Sequence, residues 1–336
     1  STRQWTRMHR AIGLALLAGL GACGGGGDDD GQAPSGWIDL TAANMEAVAH
    51  AAASGAFALG LSSAAEVGGG AGPTGNVHAA VLTALRSGAV GQRMRATAAG
   101  VRPLEVYTMP PQACMVSGTV TLSWDDRDNN ADLSAGDALG FVFSNCQNDD
   151  TEVIDGSVNV VMTRIDGGAQ LTGFAGRMTL TALSGRALDG RHAYTVNGAL
   201  LTDFRQTSPT SETLRLTTDG EVVANVQTHR FTDTVTLLAG YVNDSSYDSM
   251  QMRGSNAFNG SFRSTAAGGT MRAVTTAPFI DLATDDYPSS GTLRITSNKG
   301  TLDVQALSTS QVRIALDADG DGTVDASQTE TWDWLL

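Results

Sequence analysis

Residues 118–124, GTVTLSW, and residues 138–143, ALGFVF, decide the fold of this chain. Val120, Leu122 and Trp124 recur at every second position in the first stretch, and Leu139, Phe141 and Phe143 do so in the second. A period of two puts the apolar side chains on one face and leaves the other wet, the pattern of an antiparallel sheet covered on one side. It returns at Val158, Val160 and Met162, at Met178 and Leu180, at Leu214 and Leu216, and at Val222 and Val226. Further along it recurs at Val235 and Leu237, Leu293 and Ile295, Leu302 and Val304, and Val312 and Ile314. Gly- and Asn/Asp-containing turn signals stand between the runs: Asp166 to Gly168, Asp189–Gly190, Asp219–Gly220, Asn259–Gly260 and Asn298 to Gly300. The spacing predicts a meander of roughly ten to fourteen strands, too many for one flat open sheet.

Upstream the period changes. Residues 41–66 and 76–99 are rich in alanine, and Met45, Val48, Ala49, Ala52, Ala56 and Leu59 fall near helical spacing, with Thr41 as the expected N-cap. The linker between them contains Gly70 to Gly75, a formal GxGxxG. No strand precedes it, and Pro73 and Thr74 follow its second glycine, so it reads as a connector and not as a dinucleotide loop. The fold class is therefore α+β and mainly β: a large curved antiparallel meander, half-barrel or sandwich, with Ala-rich helices N-terminal to it. Four segments result: 1–22, a flexible Gly/Asp tether over 23–37, a helical segment over 38–102 and the β domain over 103–336.

The first segment carries Arg3, Arg7 and Arg10, then the apolar run Ala11 to Leu20, then Leu20-Gly21-Ala22-Cys23. This is the layout of a secretory signal, and its apolar part is too short to span a bilayer. It resembles the lipobox of bacterial lipoproteins. The resemblance implies cleavage before Cys23, acylation of Cys23, and a membrane anchor held by several chains; Gly24 after the cysteine implies sorting to the outer membrane. An ordinary signal with an accidental cysteine is the other reading. Without residues 1–22 the chain has 18 Lys+Arg against 35 Asp+Glu, a net charge of −17. Such a surface repels nucleic acid and anionic headgroups, so neither is an expected partner.

Once Cys23 is assigned to lipid, Cys114 and Cys146 are the remaining thiols, and in an exported chain an even pair reads as a disulfide. The apolar pattern pairs Val120 with Phe141 and Leu122 with Leu139. That register sets Cys114 opposite Gln147, one residue away from Cys146, and a bulge near Ser144 and Asn145 would absorb the slip.

Two acidic loops carry the sharpest local chemistry. Asp317, Asp319, Asp321, Thr323 and Asp325 fit DxDxDGxxD and resemble the calcium loops of EF-hands and dockerin-like repeats. Alternate carboxylates supply hard oxygens, Gly322 permits the turn, and the Thr323 carbonyl completes the set. Gln328 stands where the bidentate Glu of that family sits. Asp126, Asp128, Asn130, Asp132 and Asp137 form a second such loop, which keeps the closing acid but has Ala131 in place of glycine. An acidic surface turn is the alternative for both. Calcium, if bound, is structural here.

Catalytic patterns are missing: His50, His78, His192 and His229 form no HExxH, and there is no GxSxG, P-loop lysine or CxxC. His192 and His229 read as strand-end residues. The leading expectation is a lipid-anchored cell-envelope protein of structural or interaction role. The alternative is a carrier, since a curved sheet with helices over its concave side is similar to the half-barrels of periplasmic lipoprotein carriers, which hold hydrophobic ligands. A carrier leaves its concavity partly empty, whereas a scaffold fills it with helix. For the anchor, Cys23→Ser should abolish metabolic fatty-acid labelling and release the protein from the membrane fraction. Equal partitioning of variant and wild type would remove the assignment.

Overall fold

The computed structural model describes residues 36–58, 106–130, 132–147, 152–167, 171–190, 192–282, 284–285 and 287–335. Cys23, the segment 1–22, most of the tether, the second Ala-rich stretch with His78, and Ala131 lie outside the described residues. Of those described, 64 % are strand and 7 % helix. Seventeen strands form one sheet, and every ladder between them is antiparallel, as expected.

The strands are β1 (Tyr107–Thr108), β2 (Gln112–Ala113), β3 (Ser117–Asp125), β4 (Ala138–Gln147), β5 (Glu152–Asp166), β6 (Gly173–Ala187), β7 (His192–Ser208), β8 (Ser211–Thr218) and β9 (Val222–Thr228). They continue as β10 (Thr232–Leu237), β11 (Val242–Asp248), β12 (Arg253–Ser264), β13 (Gly269–Leu282), β14 (Ser290–Thr296), β15 (Thr301–Ser308), β16 (Gln311–Asp317) and β17 (Ala326–Thr331). Seventeen strands occupy only fourteen ranks, because three ranks hold two strands each. β1 and β2 share the edge of β3. β8 and β9 both pair with β7, and β11 and β10 both pair with β12, each pair in one direction. β8–β9 and β10–β11 are thus single long strands interrupted midway.

This changes the reading of two turn signals. Asp219–Gly220 reverses nothing; it kinks the β8–β9 strand. Asn259–Gly260 lies inside β12, beside a register shift between Asn256 and Asn259. The signals at Asp166, Asp189 and Asn298 do separate strands. The kinks align across the sheet. Register breaks at Gly118 in β3, at Ser144 and Asn145 in β4, at Gly156 in β5 and at Ala182 in β6. The line continues through Gly198 in β7, Gly220 and Gly240 at the two interruptions, then β12 and β13. An aligned row of bulges bends every strand in the same place and so creases the sheet.

The bulge at Ser144 and Asn145 is where the sequence places it, but the register is offset by two residues. Val120 faces Phe143, Leu122 faces Phe141 and Trp124 faces Leu139, with Ser117 opposite Gln147. Cys114 lies on no extension of β3. It sits in the tight β2–β3 turn, where its N–H donates to the Gly118 carbonyl. The Cys114–Cys146 disulfide forms, with Cα atoms 5.5 Å apart. Closing that loop stabilises the fold by about 3–4 kcal/mol on chain-entropy grounds.

α1 spans Met45–Ala58, so the residue at its cap is Asn44, whose carbonyl accepts the Val48 N–H; Thr41 starts the turn before it, its N–H donating to the Asn44 side chain at 2.8 Å. Val48, Ala49, His50, Ala51, Ala52, Ala53 and Ser54 are all buried. Consecutive buried residues leave a helix no wet face, so it must be surrounded. α1 touches β9, β10, β12, β15 and β16, ranks far apart in the sheet, and α2 (Trp332–Leu335), a short C-terminal helix the sequence pattern did not indicate. The sheet therefore curls round α1. Among the described residues no helix is long and apolar enough to cross a membrane.

Gly156 tests the crease. Its φ is +109°, and a Cβ there would fall on the Ala182 carbonyl of the neighbouring strand. Gly156→Ala should cost about 2–4 kcal/mol in urea unfolding. Gly190→Ala, at φ +72° in the open β6–β7 turn, should cost about 1 kcal/mol. Equal costs would mean that strand-to-strand contact at the crease contributes nothing.

Candidate functional site

Both acidic loops are hairpin connections, 126–137 between β3 and β4 and 318–325 between β16 and β17. Strand ends fix their mouths: the Asp325 N–H donates to the Leu316 carbonyl at 2.8 Å. In the second of these loops backbone amides fix each carboxylate. Asp317 accepts from Gly320 N at 2.7 Å and Gly322 N at 2.9 Å, Asp321 from Thr323 N at 2.7 Å, and Asp325 from Ala318 N at 2.8 Å. Asp319 accepts from Asp321 N at 3.2 Å. The result brings one carboxylate oxygen each of Asp317, Asp319 and Asp325 within 4.8 Å of one another. Asp321 is outside this converging set. Gln328 is not part of the loop at all: on β17, its amide donates to Glu46 of α1 at 3.4 Å.

In the first loop Asp126, Asp128 and Asp137 converge within the same 4.8 Å, and Asp132 stands outside. The Asn130 N–H donates to Asp126 and Asp128, each at 3.2 Å, and the Asp132 N–H donates to the Asn130 side chain at 2.6 Å. Asp137, fully buried, accepts from Arg127 N at 3.0 Å and Ser134 N at 2.9 Å. Burial pushes its carboxyl above the usual range and outweighs those two amides, with Asp126 and Asp128 pushing the same way. Asp128 is exposed and the Ser134 hydroxyl, 2.9 Å away, lowers it. Oxygen-only donors gathered round a buried carboxylate are suited to a hard cation, which would neutralise the repulsion that three acids otherwise share.

Other polar groups were not legible in the pattern. Asn243 and Ser245 of β11, with Tyr241 just before it, are buried in the interior, and Ser245 donates to Asn256 on β12 at 2.8 Å. A central strand without apolar alternation was the available signal. On the solvent face of β7, β8, β11 and β12 lies an open groove of about 460 Å³ lined by Asp203, Arg205, Arg215, Asp244, Ser246 and Ser255. Its two arginines pair with its two aspartates, so it offers no net charge to a ligand. His192 opens β7 and His229 follows β9, as strand-end residues should. Comparison with protein-family models, with curated proteins and with solved structures finds no match to this chain.

Asp281, on β13, is 6 % exposed and, among the described residues, its Oδ1 has no hydrogen-bond partner. Burial pushes its carboxyl up to about 6, with Asp285 adding to the effect. A carboxyl raised in the folded state favours folding at low pH and costs stability as pH rises from its unfolded value of 3.8 through about 6. Asp281→Asn should therefore stabilise the protein at pH 8 by up to about 3 kcal/mol. The gain should vanish at pH 3, as chemical denaturation at the two pH values would show.

Proposed function

We propose that this chain is a calcium-stabilised envelope protein, held at the outer membrane through lipidated Cys23, that works as a structural or interaction scaffold and not as an enzyme. The observation that carries the reading is the paired convergence of three carboxylates in each of two hairpin loops. Asp317, Asp319 and Asp325 are the expected ligands of one ion, with Asp321 and the Thr323 carbonyl adjoining. Asp126, Asp128 and Asp137 are those of the other, with Asn130 and Asp132 adjoining. Because Gln328 is engaged by α1, the β16–β17 loop lacks its twelfth-position ligand, and the first loop, closed by buried Asp137, becomes the tighter of the two. Weak sites suffice outside the cytoplasm, where calcium is plentiful.

The scaffold reading is favoured over the carrier because α1 occupies the sheet's interior, with Val48 to Ser54 buried all round, where a carrier would hold its ligand. A filled interior leaves the outer face, edges and hairpin loops for contact with a partner.

Calcium is testable directly. A ligand at 100 times its dissociation constant adds about 2.7 kcal/mol, so millimolar calcium should raise the thermal midpoint by several degrees over chelator. Asp137→Asn should remove most of that rise and Asp319→Ala a smaller part. If chelator leaves the wild-type midpoint unchanged, both loops are acidic turns only.

A further inference from the structure

α1, α2 and the β9–β10 turn meet at one imidazole. His50 is fully buried, with Nδ1 2.7 Å from the Leu335 carbonyl. A carbonyl only accepts, so Nδ1 carries the proton and Nε2 is left as an acceptor, 3.4 Å from the Ser54 hydroxyl one turn along α1. Phe231, from the β9–β10 turn, stacks on the ring with centroids 4.3 Å apart and planes 20° apart. The same Phe231 meets Trp334 of α2 edge-on at 6.5 Å. Arg230 lies over the Trp334 ring at 4.7 Å and 3.9 Å from Glu46 of α1.

Few charges surround this junction. Asp233 of β10 is buried and accepts from Ser264 Oγ, Thr265 Oγ1 and Ala266 N. His192 stands at the start of β7, His229 and Arg230 in the turn, and Glu46 one turn before His50 on α1. Asp333 of α2 is turned aside, accepting from Tyr287 Oη at 2.7 Å. From β12, β15 and β16 the inner faces bring Phe262, Ser264, Leu302, Val304, Val312 and Ile314, none of which titrates.

We propose that His50 is an acid-sensitive latch: while neutral it fastens α2 to α1 inside the sheet, and on protonation it releases α2 while the sheet stays folded. Burial disfavours the charged ring and outweighs the Leu335 carbonyl and Asp233, which favour it; His192 opposes the charge as well. The docked imidazole therefore titrates below its free value of 6.5. The undocked state takes up a proton that the docked state refuses, so docking is complete above pH 6.5 and weakens as pH falls toward the docked value. α2 is the element that yields because it is four residues long, whereas each strand is held by its ladders.

Hydrogen exchange read by mass spectrometry at pH 7.5 and pH 5.0, corrected for intrinsic rates, tests this. Amides of residues 332–335 should lose protection by up to about thirtyfold, the limit that an undocked imidazole of pKa 6.5 sets between these two pH values, while β14 to β16 keep theirs. His50→Asn retains a donor at the δ position without titrating, and its protection should be equal at both pH values. The same loss in that variant, or no loss in the wild type, overturns the latch. Should the variant fail to fold, an NMR titration of the wild type decides: backbone resonances of residues 332–335 that shift with the His50 ring support the latch, and resonances that stay unmoved through the ring's midpoint overturn it.

Discussion

A single crease governs this molecule. Fourteen ranks of strand cannot stay flat, and here they bend at one level because every strand from β3 to β13 is interrupted where its neighbours are. A bulge in one strand leaves the next with a pair it cannot make in register, and the cheapest answer is a bulge there too. Gly118 lies against Asn145, Gly156 against Ala182 and Gly198 against Glu221. The positions alternate between glycine and residues forced to positive φ: Asn145 at 46° and Ala182 at 46°. Ala182 pays for this strain with a hydrogen bond from its N–H to the Asn197 side chain at 2.7 Å. With the crease in place the sheet can close over α1; without it, Ala49 to Ser54 would have no second wall.

Much of this was written in the chain, but in two layers. Period-two runs marked β3 to β6 and β14 to β16 because one face of each is apolar and the other wet. They failed over β11 and the first half of β12, where Asn243, Ser245 and Asn256 face inward and hydrogen-bond through Ser245, so no apolar alternation survives. Asp219–Gly220 and Asn259–Gly260 misled for a different reason: the glycine and acid chemistry that makes a hairpin turn also makes a kink, and only strand pairing tells them apart. The cysteine pair was found by counting, and its bulge by the slip between apolar register and sulfur, although the register itself was off by two.

The acidic loops show the same division. Alternation of Asp317, Asp319 and Asp321 announced the loop, yet the converging third carboxylate is Asp325, because its side chain closes back on Ala318 N across the hairpin. Gln328 belonged to the motif in sequence and to α1 in space. His50 carried no local signal at all, since its partner Leu335 lies 285 residues away. By contrast an exposed ion pair such as Arg215 with Asp244 is conspicuous in the structure but adds little to stability while solvent screens it.

That last separation has a kinetic side. Apart from β1, which pairs with β3, every strand pairs with the strand before or after it in the chain once β8–β9 and β10–β11 are counted as one kinked hairpin, so the meander can grow by short loop closures. α1 is different: its contacts with β12, β15, β16 and α2 span nearly the whole chain. A helix that precedes every strand in the chain is thus among the last elements to find its place. Until the C-terminal strands exist, an alanine-rich helix whose one acid is Glu46 lacks most of its walls, and folding of the sheet and burial of the helix become separate events.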